Sequence, residues 1–205
     1  MTSFQPFPDD DLPDVIEALL TDRGLKILVT QTRFQDQLRN KGFGEREDSE
    51  YFLKAYEALY LIHTKRLILK QKRDNLNFDS LVKIILKHDK DILTKFLIYR
   101  DLRSRGYVPK EGFGFGVDFR VYDRGEFEKK PARYIVFGIN EGTNIKANDF
   151  SAAIEQIAKM GKDAVVAVIE RRGEIIYYKV SKIRFADQKI YDDIKNKAKS
   201  AYEEA

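Results

Sequence analysis

Tyr122 closes a run in which Phe115, Val117, Phe119 and Val121 alternate with Gly116, Asp118, Arg120 and Tyr122. A period of two places the second set on the polar face of a half-buried strand. The phenol of Tyr122 can therefore reach solvent or a substrate, although a strand-end tyrosine also packs its ring. Lys162 stands between Gly161 and Asp163, after a helical run and before an apolar one. An ammonium there can stabilise negative charge developing on a substrate, or simply answer the dipole of the preceding helix. Asp118 and Glu170 are the kind of acidic pair a metal-dependent nuclease uses, but Glu170 is followed by Arg171 and Arg172 and lacks the lysine of an E-x-K pattern. The chain has two histidines, His63 and His88. His63 ends an apolar helical stripe and reads as a core-edge residue; His88, beside Asp89, reads as a surface residue between two helices. Phe113-Gly114-Phe115-Gly116 lacks the strand-before, helix-after setting of a phosphate loop and reads as a turn entering a strand. Arg100, Arg103 and Arg105 occupy the last turns of a helix, where cations are favoured. Arg100 and Arg103 share a face, which makes a local RNA-facing patch or an ordinary solvated face.

The elements that position these residues follow from periodicity and punctuation. Residues 1–24 begin rich in Asp and Pro, then give a short apolar run, Val15–Leu20, expected as helix within an N-terminal extension. Ile27-Leu28-Val29 reads as a strand. Thr30 or Thr32 can cap a helix that stops at Gly42, and Ser49 can cap one carrying Phe52, Leu53, Tyr56, Leu59, Tyr60 and His63. Leu67-Ile68-Leu69 reads as a strand, and Asp79 as the cap of a helix bearing Leu81, Val82, Ile84 and Ile85. A further helix runs from about Asp89 to Arg105 and stops at Gly106. The second half is strand-dominated: the run ending at Tyr122, then Tyr134–Phe137. A helix follows, capped by Asn148 or Asp149, apolar at Phe150, Ile154 and Ile157, and closed by Gly161. A hairpin joins Ala164–Ile169 to Ile175–Val180 through a connection containing Gly173. These elements predict an α/β (α+β) chain: an extension over 1–24, a small mixed N-terminal α/β domain over 25–95, a strand-rich C-terminal domain over 96–189, and a tail over 190–205 that is a surface helix or disordered.

Composition sets the limits. Hydrophobic residues make up 43% of the 205, enough for a buried core, and charged residues 34%, above the usual quarter. The 37 Lys+Arg are offset by 33 Asp+Glu to a net charge of +4, which fits RNA binding by a local patch without requiring it. With no cysteine, disulfides and thiolate metal sites are excluded, and two histidines exclude a histidine-rich metal centre. No apolar run approaches the roughly 20 residues of a membrane span. The acidic start, MTSFQPFPDDDLPD, lacks the basic region of a signal peptide, so a cytoplasmic protein with no membrane partner is expected.

The stretch from Tyr99 to Gly125, YRDLRSRGYVPKEGFGFGVDFRVYDRG, resembles the start of the C-terminal nuclease domain of the archaeal tRNA-intron endonucleases. Family members carry a Y-R-D-L-R-x-R-G-Y helix end, a Gly-Phe turn, an F-G-x-D-F-x-V-Y strand, and a catalytic histidine just before a Y-x-V strand. The resemblance runs from about Leu25 to Phe185 and is weaker over Leu25–Leu69. It implies a nuclease that needs no metal or other cofactor and removes introns from precursor tRNA at bulge-helix-bulge sites. The 2′-hydroxyl attacks the adjacent phosphorus, leaving 2′,3′-cyclic phosphate and 5′-hydroxyl ends. It assigns the triad tyrosine to Tyr122 and the triad lysine to Lys162. The histidine position falls on Pro131 or Ala132, neither of which can donate a side-chain proton, and Arg133 remains protonated at working pH. The family includes heteromeric enzymes that pair a catalytic subunit with a structural one whose triad is degraded. The expectation is therefore a structural subunit, inactive alone, in a heterotetramer with a catalytic paralogue and precursor tRNA as partners. The resemblance also implies pairing through strands such as Ile175–Val180 and docking by an acidic connecting loop, although the connection here carries Arg171 and Arg172. An active endonuclease using Tyr122 and Lys162, and a non-enzymatic RNA-binding scaffold, are the alternatives.

Overall fold

The computed structural model describes residues 15–21, 26–114, 116–142, 144 and 146–183. The tail over 190–205 lies outside them. Two sheets are present. The first contains β1 (Ile16–Leu20), β2 (Ile27–Val29), β3 (Glu45–Glu47), β4 (Glu50–Leu53), β5 (Leu67–Gln71) and β6 (Asp74–Leu76), in the order β3-β4-β2-β1-β5-β6. Helices α1 (Thr32–Asn40), α2 (Ala55–His63) and α3 (Phe78–Ile85) accompany it. The second contains β7 (Val108–Gly114), β8 (Val117–Tyr122), β9 (Tyr134–Asn140), β10 (Asp163–Ile169) and β11 (Ile175–Val180), in the order β11-β10-β9-β8-β7. Between the sheets in sequence runs α4 (Ile92–Ser104), and α5 (Ala147–Lys159) links β9 to β10. The mixed α/β class expected from the sequence is the class found.

Several local expectations are corrected. Val15–Leu20 is not helical: Ile16, Ala18 and Leu20 are buried and β1 lies in the interior of the first sheet, antiparallel to β2 and parallel to β5. The extension expected over 1–24 thus contributes a strand to the first sheet. Phe52 and Leu53 belong to β4, and α2 begins only after Lys54, whose backbone N–H donates to the Glu57 carboxylate. Neither Thr30 nor Thr32 caps α1, whose N-cap is Gln31. Asn77 rather than Asp79 caps α3, accepting from the Ser80 N–H at 2.8 Å. Lys146 stands at the N-cap of α5 in place of Asn148 or Asp149. Gly42, Gly106 and Gly161, with φ of +75°, +88° and +66°, end their helices as expected from the permissive left-handed region.

The second sheet is covered on one side by α5, whose Ala153, Ile154 and Ile157 pack with Ile135, Phe137 and Ala164. On the other side Phe119, Val121, Val136, Val165 and Ala167 join a larger core that includes Ile98, Tyr99 and Leu102 of α4 and most of the first sheet's apolar residues. Tyr99 is fully buried, its ring 5.0 Å from Tyr56, 5.6 Å from Tyr60 and 6.1 Å from Phe119. One aromatic of α4 thereby ties residues from both halves. A polar junction reinforces it. The ammonium of Lys110 on β7 donates to the Gly44 carbonyl at 2.8 Å and the Gly42 carbonyl at 3.3 Å, and lies 3.3 Å from Glu57, whose side chain is fully buried. Glu57 also accepts from the Gly44 N–H at 2.9 Å. Burying a carboxylate is tolerable only when it is paired and hydrogen-bonded in this way.

Candidate active site

β8 runs antiparallel to β9, and β9 runs parallel to β10. The last residue of β8 and the residues preceding β9 and β10 must therefore meet at one end of the sheet. Register confirms it: Val121 pairs with Tyr134, and Tyr134 with Asp163. The ladder continues one step further, since the Arg133 N–H donates to the Val121 carbonyl at 3.0 Å and the Asp163 N–H to the Arg133 carbonyl at 3.1 Å. Tyr122, Pro131-Ala132-Arg133 and Lys162 are thus neighbours across three strands, although they span 40 positions in sequence.

Their side chains differ in what they do. Tyr122 is half-buried, its ring edge-on to Phe127 at 5.2 Å. Its hydroxyl makes no hydrogen bond among the described residues. Lys162 is also half-buried, and its ammonium donates to the Ala132 carbonyl at 2.6 Å. The triad-lysine position is therefore anchored on the segment where the resemblance places the histidine. Pro131 is exposed and Ala132 is 5% exposed. Pro131 offers no N–H, and neither side chain has a proton to give. Arg133 lies 3.4 Å from the Asp123 carboxylate, whose hydrogen bond holds the guanidinium above its usual range. A group held so firmly protonated does not act as the missing acid.

The remaining candidates stand elsewhere. His63 is exposed at the end of α2, its ring 5.8 Å from Phe96 and 6.3 Å from Phe78; His88 is exposed beyond α3. Neither belongs to the end of the sheet that holds Tyr122. The Asp118 carboxylate accepts from the Gly138 N–H at 2.6 Å, and burial raises its pKa. The Glu170 N–H donates to the Glu174 carbonyl within the hairpin turn. Among the described residues no three histidine or carboxylate side chains converge as metal ligands. The arginines of α4 do not make one patch. Arg103 is 3% exposed, its guanidinium 3.9 Å above the Phe43 ring and donating to the Lys41 carbonyl at 2.8 Å. Arg105 pairs with Asp101 at 2.7 Å, and Arg100 lies over Phe96. The Glu57–Lys110 junction escaped the sequence reading altogether. Its only local signal is Glu57 three positions after Lys54, an N-terminal capping spacing.

Within this geometry the comparisons with known proteins are consistent. A family model described as tRNA intron endonuclease, catalytic C-terminal domain, matches residues 92–177, and one described as tRNA intron endonuclease, N-terminal domain, matches residues 20–82. The chain is 31% identical to the tRNA-splicing endonuclease of Pyrococcus horikoshii over 163 residues, covering 79% of this chain and 94% of that protein. It is 32% identical to that of Pyrococcus furiosus over 172 residues, covering 83% and 98%. The tRNA-splicing endonuclease of Methanococcus vannielii matches at 27% over 170 residues, covering 82% and 95%. With both domain models matched in chain order and relatives aligned over nearly their whole length, this chain belongs to the tRNA intron endonuclease family.

Proposed function

We propose that this chain is a structural subunit of a heteromeric tRNA-splicing endonuclease acting in the cytoplasm, inactive alone and assembled with a catalytic paralogue. The substrate is precursor tRNA cut at bulge-helix-bulge sites, leaving 2′,3′-cyclic phosphate and 5′-hydroxyl ends. That reaction needs a base near the attacking 2′-oxygen, an acid for the departing 5′-oxygen and a cation for the charge on phosphorus. Tyr122 and Lys162 retain groups suited to the first and third. The observation that carries the reading is the absence of any proton donor at Pro131-Ala132, with the Lys162 ammonium occupied by the Ala132 carbonyl. Loss of a general acid lowers a rate by about 10²–10⁴. Incubating the purified full chain with a bulge-helix-bulge RNA tests this: intact RNA is expected, and efficient cutting to cyclic phosphate ends overturns the structural role.

The retained pair Tyr122 and Lys162, at the same sheet end on either side of the segment preceding β9, favours a second reading in which the chain cuts slowly by itself. The same incubation separates the two. Support for a partner comes from β11, which among the described residues is an edge strand paired with β10 alone, exposing Ile176 at 36% and Tyr178 at 52%. Edge strands left unpaired are surfaces for strand addition by another chain. Placing aspartate at Tyr178 and following assembly with the catalytic paralogue by size exclusion tests this edge; unchanged assembly by a folded variant counts against it. The β10–β11 connection carries Arg171 and Arg172 beside Glu170 and Glu174, which argues against docking by a purely acidic loop.

A further inference from the structure

A hollow of about 350 Å³ opens between the end of α1, the end of α4 and the loop that follows β8. Its lining includes Lys41, Arg103, Arg124 and Lys129 and no Asp or Glu. Arg124 and Lys129, whose side chains make no ion pair among the described residues, give the hollow a local positive charge in a chain whose charges nearly cancel. We propose that this hollow binds a phosphodiester group of the RNA backbone beside Tyr122. The inference deepens the proposed function and rests on its premise that the chain engages precursor RNA.

The hollow is built by close backbone packing. A Cβ at Gly42 would come 2.3 Å from Val108 Cγ1 and 3.4 Å from Phe127 Cδ1; one at Gly106 would come 3.4 Å from Arg124 Cδ. Arg103 is fixed at the wall by the Lys41 carbonyl and the Phe43 ring. Arg124 and Lys129 make no ion pair or side-chain hydrogen bond among the described residues. The carboxylates of their own loop are engaged by other cations: Asp123 with Arg133, Glu126 with Lys130, and Glu128 with Arg39. Two unpaired cations beside a buried guanidinium suit a phosphate oxyanion, which accepts several charge-assisted hydrogen bonds. Phe127 lines the hollow and also packs edge-on against Tyr122. A strand passing Tyr122 would therefore bring a neighbouring phosphate to this place. Such contacts set the position of the strand without reading its bases.

The test compares the full unaltered chain with Arg124→Gln/Lys129→Gln and with a control, Lys83→Gln/Lys87→Gln, which removes the same charge from exposed positions on α3 and in the turn that follows it. Binding to a labelled bulge-helix-bulge RNA is followed by fluorescence anisotropy between about 50 and 200 mM salt. The hollow variant is expected to weaken binding by about tenfold at the lower salt and to flatten the log–log salt slope by about one; the control moves neither. Equal behaviour of the two variants overturns the site, as does failure of the unaltered chain to bind RNA. Inorganic phosphate is tested alone in a second arm. If it binds at the hollow while RNA affinity is indifferent to Arg124 and Lys129, the site takes free phosphate and the RNA assignment falls. Cleavage by the isolated chain would defeat the structural-subunit reading without touching these binding results.

Discussion

Lys110 and Lys162 both donate to backbone carbonyls at the ends of loops, and the resemblance ends there. Lys110 has two carbonyls and a carboxylate around it, with 11% of its side chain exposed. Lys162, half-buried as well, has the Ala132 carbonyl alone among the described residues. The first lysine is saturated by the fold: it joins β7 to the Glu57 carboxylate at the start of α2 and to the Gly42–Gly44 turn, and so connects the two halves. The second uses one of its three N–H groups among the described residues, which leaves donors free for something the fold itself does not supply. A fully satisfied buried cation marks a structural joint, whereas a partly satisfied one at a sheet end marks a former or present site.

Breaking the saturated joint should have the largest effect. Lys110→Met leaves the Glu57 carboxylate buried without its cation and is expected to lower unfolding stability by about 3–5 kcal/mol, measured by urea denaturation. A change below 1 kcal/mol would mean that the junction does not hold the halves together. Lys162→Ala removes one charge-assisted hydrogen bond that solvent already screens, so its expected cost is about 1 kcal/mol. A cost as large as that of Lys110→Met would erase the contrast between the two lysines. Tyr122→Phe removes a hydroxyl that has no partner among the described residues and keeps the ring against Phe127, so its urea midpoint should match that of the parent.

The effect at Asp118 is small and depends on pH. Burial raises its folded-state pKa above the unfolded value. Its contribution to stability is therefore fully present below the unfolded value, about 3.9, and declines as pH rises through the folded one. Asp118→Asn should thus gain stability relative to the parent on going from about pH 4 to pH 7, followed as the difference in thermal midpoint. A difference that is flat or falls across that window contradicts the assignment of burial as the dominant cause.

How much was legible follows from where each signal is stored. β8, with its buried Val117, Phe119 and Val121, is written in local alternation, and so is the glycine stop after each of α1, α4 and α5. β1 was not legible: Ile16, Ala18 and Leu20 alternate, but the outward positions Val15 and Leu19 are apolar as well and mask the period. Phe52 and Leu53 read as helical from sequence because only Lys54 separates β4 from α2. At the candidate site, the types of Tyr122 and Lys162 and the gap at Pro131-Ala132 were readable. The bond from Lys162 to Ala132 was not, because strand order alone brings them together. The arginines of α4 read as one surface cluster; the structure buries Arg103 on Phe43, since the opposite wall comes from the distant Lys41–Phe43 turn. The Glu57–Lys110 joint, 53 residues apart, leaves no local pattern for either partner.

If the chemistry belongs to a partner, this chain's sheet end is vestigial. The most direct measurement is the single-turnover cleavage rate of the assembled enzyme carrying Tyr122→Phe and Lys162→Ala in this chain, with an intact catalytic paralogue and assembly verified. With the partner's triad doing the chemistry, the rate is expected within a factor of about two of the unaltered complex. A fall of more than about tenfold, roughly 1.4 kcal/mol of transition-state free energy, would show that this site takes part in the reaction and would contradict the structural role.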